Sequence, residues 1–217
     1  ANEISLEGIE IVDPQSDART EGYIEAYYQL RHRKGVTPIE ARRTLRNRNY
    51  FGAMMVAQGD ADGFVSGLTR SYPDTLRPAL EVIGPASSSR RVAGAHIMVF
   101  PNQVKVFADT TVNIDPSAET LAEIALAASE MAKSLDMVPQ VALLSFSNFG
   151  SNTPPQATKV SQAFKILKEI APALKVEGEL QADIALNPKV RQKLFPFSEL
   201  TGEANVLVFP ELNSANI

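Results

Sequence analysis

The stretch Asp115-Pro116-Ser117-Ala118-Glu119-Thr120-Leu121, continued as AEIALAASEMAKSL to Leu135 and followed after a short break by Val141-Ala142-Leu143-Leu144, decides the fold. Leu121, Ile124, Ala125, Ala128, Met131 and Leu135 recur at the spacing that places side chains on one face of a helix. Asp115 is read as the cap and Pro116 as the first helical residue, a place where a missing N–H costs nothing. Val141–Leu144 has no polar partner at alternate positions, so it reads as a strand covered on both faces. A helix leading into such a strand is the unit of an α/β protein with a largely parallel sheet.

Working outward, the same alternation continues. On the C-terminal side, Val160, Phe164, Leu167 and Ile170 stripe a second helix, and Val206–Phe209 is another apolar strand. On the N-terminal side, Val92–Phe100 and Val104–Ala108 flank Pro101-Asn102-Gln103 as a hairpin. Further back, Gly8–Asp13 and Phe64–Ser66 read as short strands. Asp17–Lys34 reads as a helix closed by Gly35, and Thr37-Pro38-Ile39-Glu40 opens another. Phe51–Gln58 is a buried helix ending at Gly59, and Thr75–Ile83 a helix stopped by Gly84-Pro85. Pro85–Arg91, with three Ser and two Arg, is the linker. The expected architecture is two α/β lobes with mainly parallel sheets: residues 1–88 form part of the first lobe and residues 89–217 the second.

Composition narrows the function. The chain has 217 residues, 44% of them hydrophobic, and a net charge of −4 without a basic stripe, which argues against nucleic acid as a partner. It has no cysteine, so disulfides, a catalytic thiol and thiolate metal sites are excluded from these residues, as suits a cytoplasmic chain. No apolar run has the length of a membrane span, and Ala1-Asn2-Glu3-Ile4 lacks the pattern of a signal peptide. Glu211–Ile217 reads as a loop entering a helix cut off at its first turn, the mark of a piece of a longer protein.

No Gly-rich dinucleotide fingerprint, Walker loop, HExxH or GxSxG is present. Of the two histidines, His96 falls in a strand pattern as a core residue and His32 on a solvated helix face. Asp60-Ala61-Asp62-Gly63 resembles the start of a calcium loop but lacks the downstream ligands, which leaves an acidic turn. Arg31 follows Ile24, Tyr27 and Tyr28 on the apolar face, so it meets either a carboxylate or an anionic ligand. Thr69–Pro78, with Arg70 and Arg77, joins a strand to a helix N-terminus, where α/β proteins bind anions; a capped helix with surface arginines is the plainer reading. Ser145-Phe146-Ser147-Asn148-Phe149-Gly150-Ser151 follows a buried strand, either as a ligand loop or as a loop satisfying its own backbone. Asp109–Asn113 has the same ambiguity. Together these residues describe a pocket for a phosphate-bearing small molecule.

Taken in order, several segments resemble the phosphotransacetylase family. They are Leu30–Gly35, Gly59–Gly67, Thr75–Leu80, Ala108–Pro116, Ala142–Ser147, Glu177–Asp183 and Ala204–Pro210. The resemblance implies two α/β lobes with a CoA-binding cleft between them, the first lobe incomplete here, and transfer of acetyl between CoA and phosphate. It implies CoA or phosphate contacts for Arg31 and Arg77, and a cleft-lining role for Ser145 and its loop. Family enzymes carry a Ser-Arg-Gly motif beyond the position equivalent to Ile217. The loops Leu68–Pro73 and Ser147–Ser151 look most like those of the C-terminal domain of bacterial hybrid malic enzymes.

That likeness implies a non-catalytic domain that binds acetyl-CoA as an allosteric inhibitor of an attached NADP-dependent malic enzyme, with NADP and a divalent metal confined to the malic-enzyme region. The expected ligand residues are Arg31, Arg70 and Arg77 for the phosphates and Ser145 and Asn148 toward the acyl end, with no catalytic or metal residue in the segment. The alternatives are a catalytic phosphate acetyltransferase, or an oligomerisation module that pairs through second-lobe helices starting near Pro116 and Pro154 within a larger homo-oligomer.

Overall fold

The computed structural model describes residues 5–85 and 91–217. The chain divides into two compact units, residues 1–87 and 88–217. Of the linker read at Pro85–Arg91, residues 86–90 lie outside the described residues, as do residues 1–4.

Among the described residues of the first unit, the regular elements are all helical, joined by turns and irregular segments. Helix α1 (Thr20–Arg31) runs into a 3-10 turn, His32–Lys34, closed by Gly35 in the left-handed region at φ 91°. Thr37 opens α2 (Pro38–Thr44) with a reciprocal box: its side chain accepts from the Glu40 N–H and its own N–H donates to the Glu40 carboxylate. Helix α3 (Arg48–Gln58) is capped by Asn47 and closed by Gly59. Helix α4 begins at Tyr72 rather than Thr75, because Ser71 caps it by accepting from the Asp74 N–H. It ends at Pro78, and a π turn, Ala79–Ile83, continues it. Tyr23, Ile24 and Tyr27 of α1 pack with Leu45, Phe51, Met54 and Val82 to form the core of this unit.

The two strands expected here do not form. Phe64 instead lays its ring on α3 at Gly52, where a Cβ would come within 2.6 Å of it. Ser66 donates to the Asn49 side chain at 2.8 Å, so side chains rather than a ladder anchor the segment. Gly8–Asp13 has no strand beside it among the described residues, and an isolated extended segment gains no ladder.

The second unit holds a five-stranded sheet. Its strands are β1 (Ala95–Phe100), β2 (Gln103–Ala108), β3 (Val141–Leu144), β4 (Val176–Leu180) and β5 (Val206–Val208). Their order is β1-β2-β5-β3-β4, antiparallel only in the β1–β2 hairpin and parallel elsewhere. The protein is therefore α/β with a mainly parallel sheet. One face of the sheet carries α5 (Ala118–Ser134) and α6 (Pro155–Ile170), packed on Val106, Val141, Leu143, Val206 and Val208. The other face, with Ala142, Leu144 and Leu207, is covered by α7 (Ala182–Leu186) and the segment around Leu200 and Ala204. Burial on both faces explains the unbroken apolar run of β3.

Three local expectations change in this unit. Ser117, not Asp115, caps α5 by accepting from the Thr120 N–H; Asp115 is drawn instead into an ion pair with Lys159. The buried stripe of α5 continues through Ala132, which leaves Met131 and Leu135 partly exposed. His96 is exposed, because β1 is an edge strand. Strand β4 has no counterpart in the sequence reading. Its middle residue, Gly178, is required by packing, since a Cβ there would stand 2.6 Å from that of Leu143. No helix among the described residues is long and apolar enough to cross a membrane.

Candidate active site

Because β2, β5, β3 and β4 are parallel, their C-terminal ends lie along one edge of the sheet, where open α/β sheets hold ligands. A cavity of about 580 Å³ opens there. Every parallel strand contributes to it: Ile114 and Asp115 follow β2, Phe209–Glu211 follow β5, Leu144–Phe146 end β3, and Ala182 follows β4. Gln156 and Lys159 reach it from the first turns of α6, and Asn213 and Ser214 from α9 (Leu212–Asn216). The size falls in the range of small-molecule and cofactor sites, and the walls are mostly apolar with a few convergent polar groups, as such sites require.

The polar groups are held in place. Lys159 Nζ donates to Asp115 Oδ1 at 2.7 Å and to the Pro210 carbonyl at 3.0 Å, so it fastens two loops to α6. Glu211 accepts from the N–H groups of Asn213 and Ser214. Burial pushes its carboxyl upward, but those donors and the nearby Lys159 charge outweigh it and leave it below the usual carboxylate range. Ser145 lines the cavity, and its hydroxyl accepts from the Ser147 N–H at 3.3 Å.

The loop after β3 is fixed from beneath by Glu179 of β4, which is 1% exposed. One carboxylate oxygen of Glu179 accepts from Ser147 Oγ and from the Gly150 N–H, both at 2.9 Å. Asn148 is bound twice to Gln181: its Nδ2 donates to Gln181 Oε1 at 2.5 Å and its Oδ1 accepts from the Gln181 N–H at 2.7 Å. Asn148 therefore braces the loop and does not line the cavity. Asp109 plays the same bracing part after β2, accepting from the N–H groups of Gly94, Thr111, Val112 and Asn113.

The arginines belong to the first unit. Arg31, with a side chain 16% exposed, pairs with Glu81 at 3.3 Å. Glu81 also accepts from Tyr50 at 2.7 Å and Tyr27 at 3.4 Å. Burial, followed by the Glu81 hydrogen bond, raises the Tyr50 hydroxyl above its ordinary value, and the Arg77 charge opposes that rise. Arg31 Nε is buried and unpartnered among the described residues. Arg70 and Arg77 are exposed, Arg77 in the last turn of α4. The acidic turn at Asp60 accepts a hydrogen bond from Tyr23, whose hydroxyl is pushed up to about 12, first by burial and then by that bond. No cluster of His, Asp and Glu suited to a metal occurs among the described residues.

Of the five residues expected to bind ligand, the cavity includes Ser145 alone. Sequence reasoning missed Lys159, Gln156, Phe209 and Ser214. The signal available for Phe209 was its place directly after a buried strand. Lys159 had none, since a lysine near the start of an amphipathic helix reads as a solvated charge.

Comparison with known proteins agrees with this architecture. A family model described as phosphate acetyl/butaryl transferase matches residues 1–217. A phosphate acetyltransferase of Bacillus subtilis is 43% identical over 99% of the chain, which spans 66% of that protein. The solved structure of the EutD phosphotransacetylase from Staphylococcus aureus superposes with a TM-score of 0.87 at 36% identity, over 98% of this chain and 66% of that one. An NAD-dependent malic enzyme of Rhizobium meliloti is 37% identical over 96% of the chain, which matches 27% of that longer protein.

Proposed function

The chain belongs to the phosphate acetyl/butaryl transferase family, and from that premise we propose that the protein it forms part of transfers an acetyl group between CoA and phosphate. The observation that carries this reading is the cavity at the C-terminal ends of four parallel strands, in a chain 43% identical to a phosphate acetyltransferase. In the phosphate-consuming direction, a phosphate oxygen attacks the thioester carbonyl, the C–S bond breaks, and acetyl phosphate and CoA leave. The chain's contribution is to hold the reactants in a largely apolar cavity, where positioning and fixed dipoles act strongly. Ser145, which lines the cavity, is the proposed contact for the acyl end. Asn148 supports its loop through Gln181 instead of touching ligand. Arg31, Arg70 and Arg77 are proposed contacts for the phosphates of CoA, by charge-assisted hydrogen bonds. The protein works in the cytoplasm, where CoA is found.

A second reading rests on the malic-enzyme relative, which matches this chain over a minor part of its own length. In that reading the same fold binds acetyl-CoA and inhibits attached malate oxidation, with NAD rather than NADP as the cofactor that relative names. The more numerous transferase relatives place this reading second. One experiment separates the two: the full-length protein is assayed for phosphate-dependent release of CoA from acetyl-CoA and, in parallel, for malate oxidation. Release of CoA without malate oxidation supports the transferase. Malate oxidation slowed by acetyl-CoA, with no phosphate-dependent CoA release, refutes it in favour of the regulatory domain.

A further inference from the structure

Three charged side chains line the cavity of the second unit: Asp115, Lys159 and Glu211. An anion entering past two carboxylates needs an opposing charge, and Lys159 is the one cation among the lining residues. An ammonium has three donors. Two of those on Lys159 are engaged, by Asp115 Oδ1 at 2.7 Å and the Pro210 carbonyl at 3.0 Å, which leaves one open. These two bonds also hold the ammonium in place, so little side-chain entropy remains to be lost when an anion arrives. Ser145 and Ser214 bring hydroxyls to the same cavity, and the Glu211 carboxylate is already occupied by backbone donors.

We propose that Lys159 is an oxyanion-binding residue of this cavity, directing its free N–H to a phosphate oxygen of the substrate. The proposal rests on the reading of the cavity as the site of transfer between CoA and phosphate. A phosphate oxygen can come from inorganic phosphate or from CoA itself; both offer the same chemistry to a lysine. The competing explanation makes Lys159 only a clasp between the Asp115 loop, Pro210 and α6.

The test is calorimetric titration of the full-length protein with inorganic phosphate, CoA and 3′-dephospho-CoA, using the wild type, Lys159→Ala, Lys159→Arg and Asp115→Asn. Turnover of acetyl-CoA with phosphate is measured on the same samples. Loss of one charge-assisted hydrogen bond should weaken binding about ten- to hundred-fold in Lys159→Ala, with recovery in Lys159→Arg. Asp115→Asn weakens the same clasp by removing its ion pair, but keeps the cation and removes a carboxylate, so it should bind at least as tightly as the wild type. Weakening confined to inorganic phosphate assigns the oxygen to that substrate. Weakening confined to CoA assigns it to CoA, to the 3′-phosphate if dephospho-CoA binds both proteins alike. Unchanged affinity for all three ligands in Lys159→Ala, or equal weakening by Asp115→Asn, overturns the proposal, as does a wild type that binds none of them. A wild type that binds but does not turn over refutes the transferase reading while the Lys159 contact stands.

Discussion

Replacing Glu179 with alanine should loosen the loop that carries Ser145. The carboxylate is 1% exposed and receives two hydrogen bonds at 2.9 Å, from Ser147 Oγ and the Gly150 N–H. In Glu179→Ala the Ser147 hydroxyl can turn to the Asn152 carbonyl, 3.3 Å away, but the Gly150 N–H has no such second acceptor. Hydrogen bonds to a charged group contribute about 1.5–3 kcal/mol each, and the void left by the buried side chain adds to their loss, so a loss of roughly 2–5 kcal/mol is expected. For a chain of this size that is a fall in Tm of about 5–15 °C. Glu179→Gln keeps an oxygen able to accept both bonds and should lose less than about 1.5 kcal/mol. The assay is urea unfolding of both variants with a shared m value, followed by acetyl-CoA turnover. Alanine and glutamine variants of equal stability would refute the claim that the carboxylate anchors this loop.

Other substitutions test the scaffold. Arg191, 2% exposed in α8 (Pro188–Leu194), donates to the carbonyls of Ile184, Ala185, Leu200 and Gly202. Arg191→Met should cost about 3–5 kcal/mol in chemical denaturation, because four acceptors lose their donor at once. Thr37→Ala removes half of the α2 capping box and should cost about 1 kcal/mol, with faster amide exchange in the first turn of that helix. Asp17 is held down to about 2 from 3.8, chiefly by the side-chain hydrogen bond from Arg19. A depressed acid contributes stability above its unfolded value, and that contribution is lost as pH falls from 3.8 toward about 2. Asp17→Asn should therefore flatten this window of an acid titration and leave the curve near neutrality parallel to that of the wild type.

What the sequence makes legible follows the strength of local signals. Helix α5 and strand β3 are readable because one has an unbroken helical stripe and the other an unbroken apolar run. Strand β4 is not, because Val176-Glu177-Gly178-Glu179-Leu180 puts two carboxylates inside the protein. Both are satisfied only by residues distant in sequence, Glu177 by the Glu199 N–H and Glu179 by the loop after β3. Gly8–Asp13 and Phe64–Ser66 mislead in the opposite sense, since a few β-branched or aromatic residues between turn signals suggest a strand without supplying the neighbour that would pair with it. The site divides the same way. Ser145 is marked by its place after a buried strand, whereas Lys159 acquires meaning only when α6 brings it to Asp115 and Pro210.

The proposed acyl transfer takes place in the second unit's cavity. Ala182 lines it and is itself exposed, so Ala182→Trp fills the cavity without disturbing the core. The decisive measurement is kcat/KM for phosphate-dependent CoA release by the full-length Ala182→Trp variant, with Tm as the control for folding. A fall of about a hundred-fold at unchanged Tm is predicted, because displacing a reactant by about an ångström can cost that much. Turnover equal to that of the wild type would contradict the assignment of the cavity as the place of reaction.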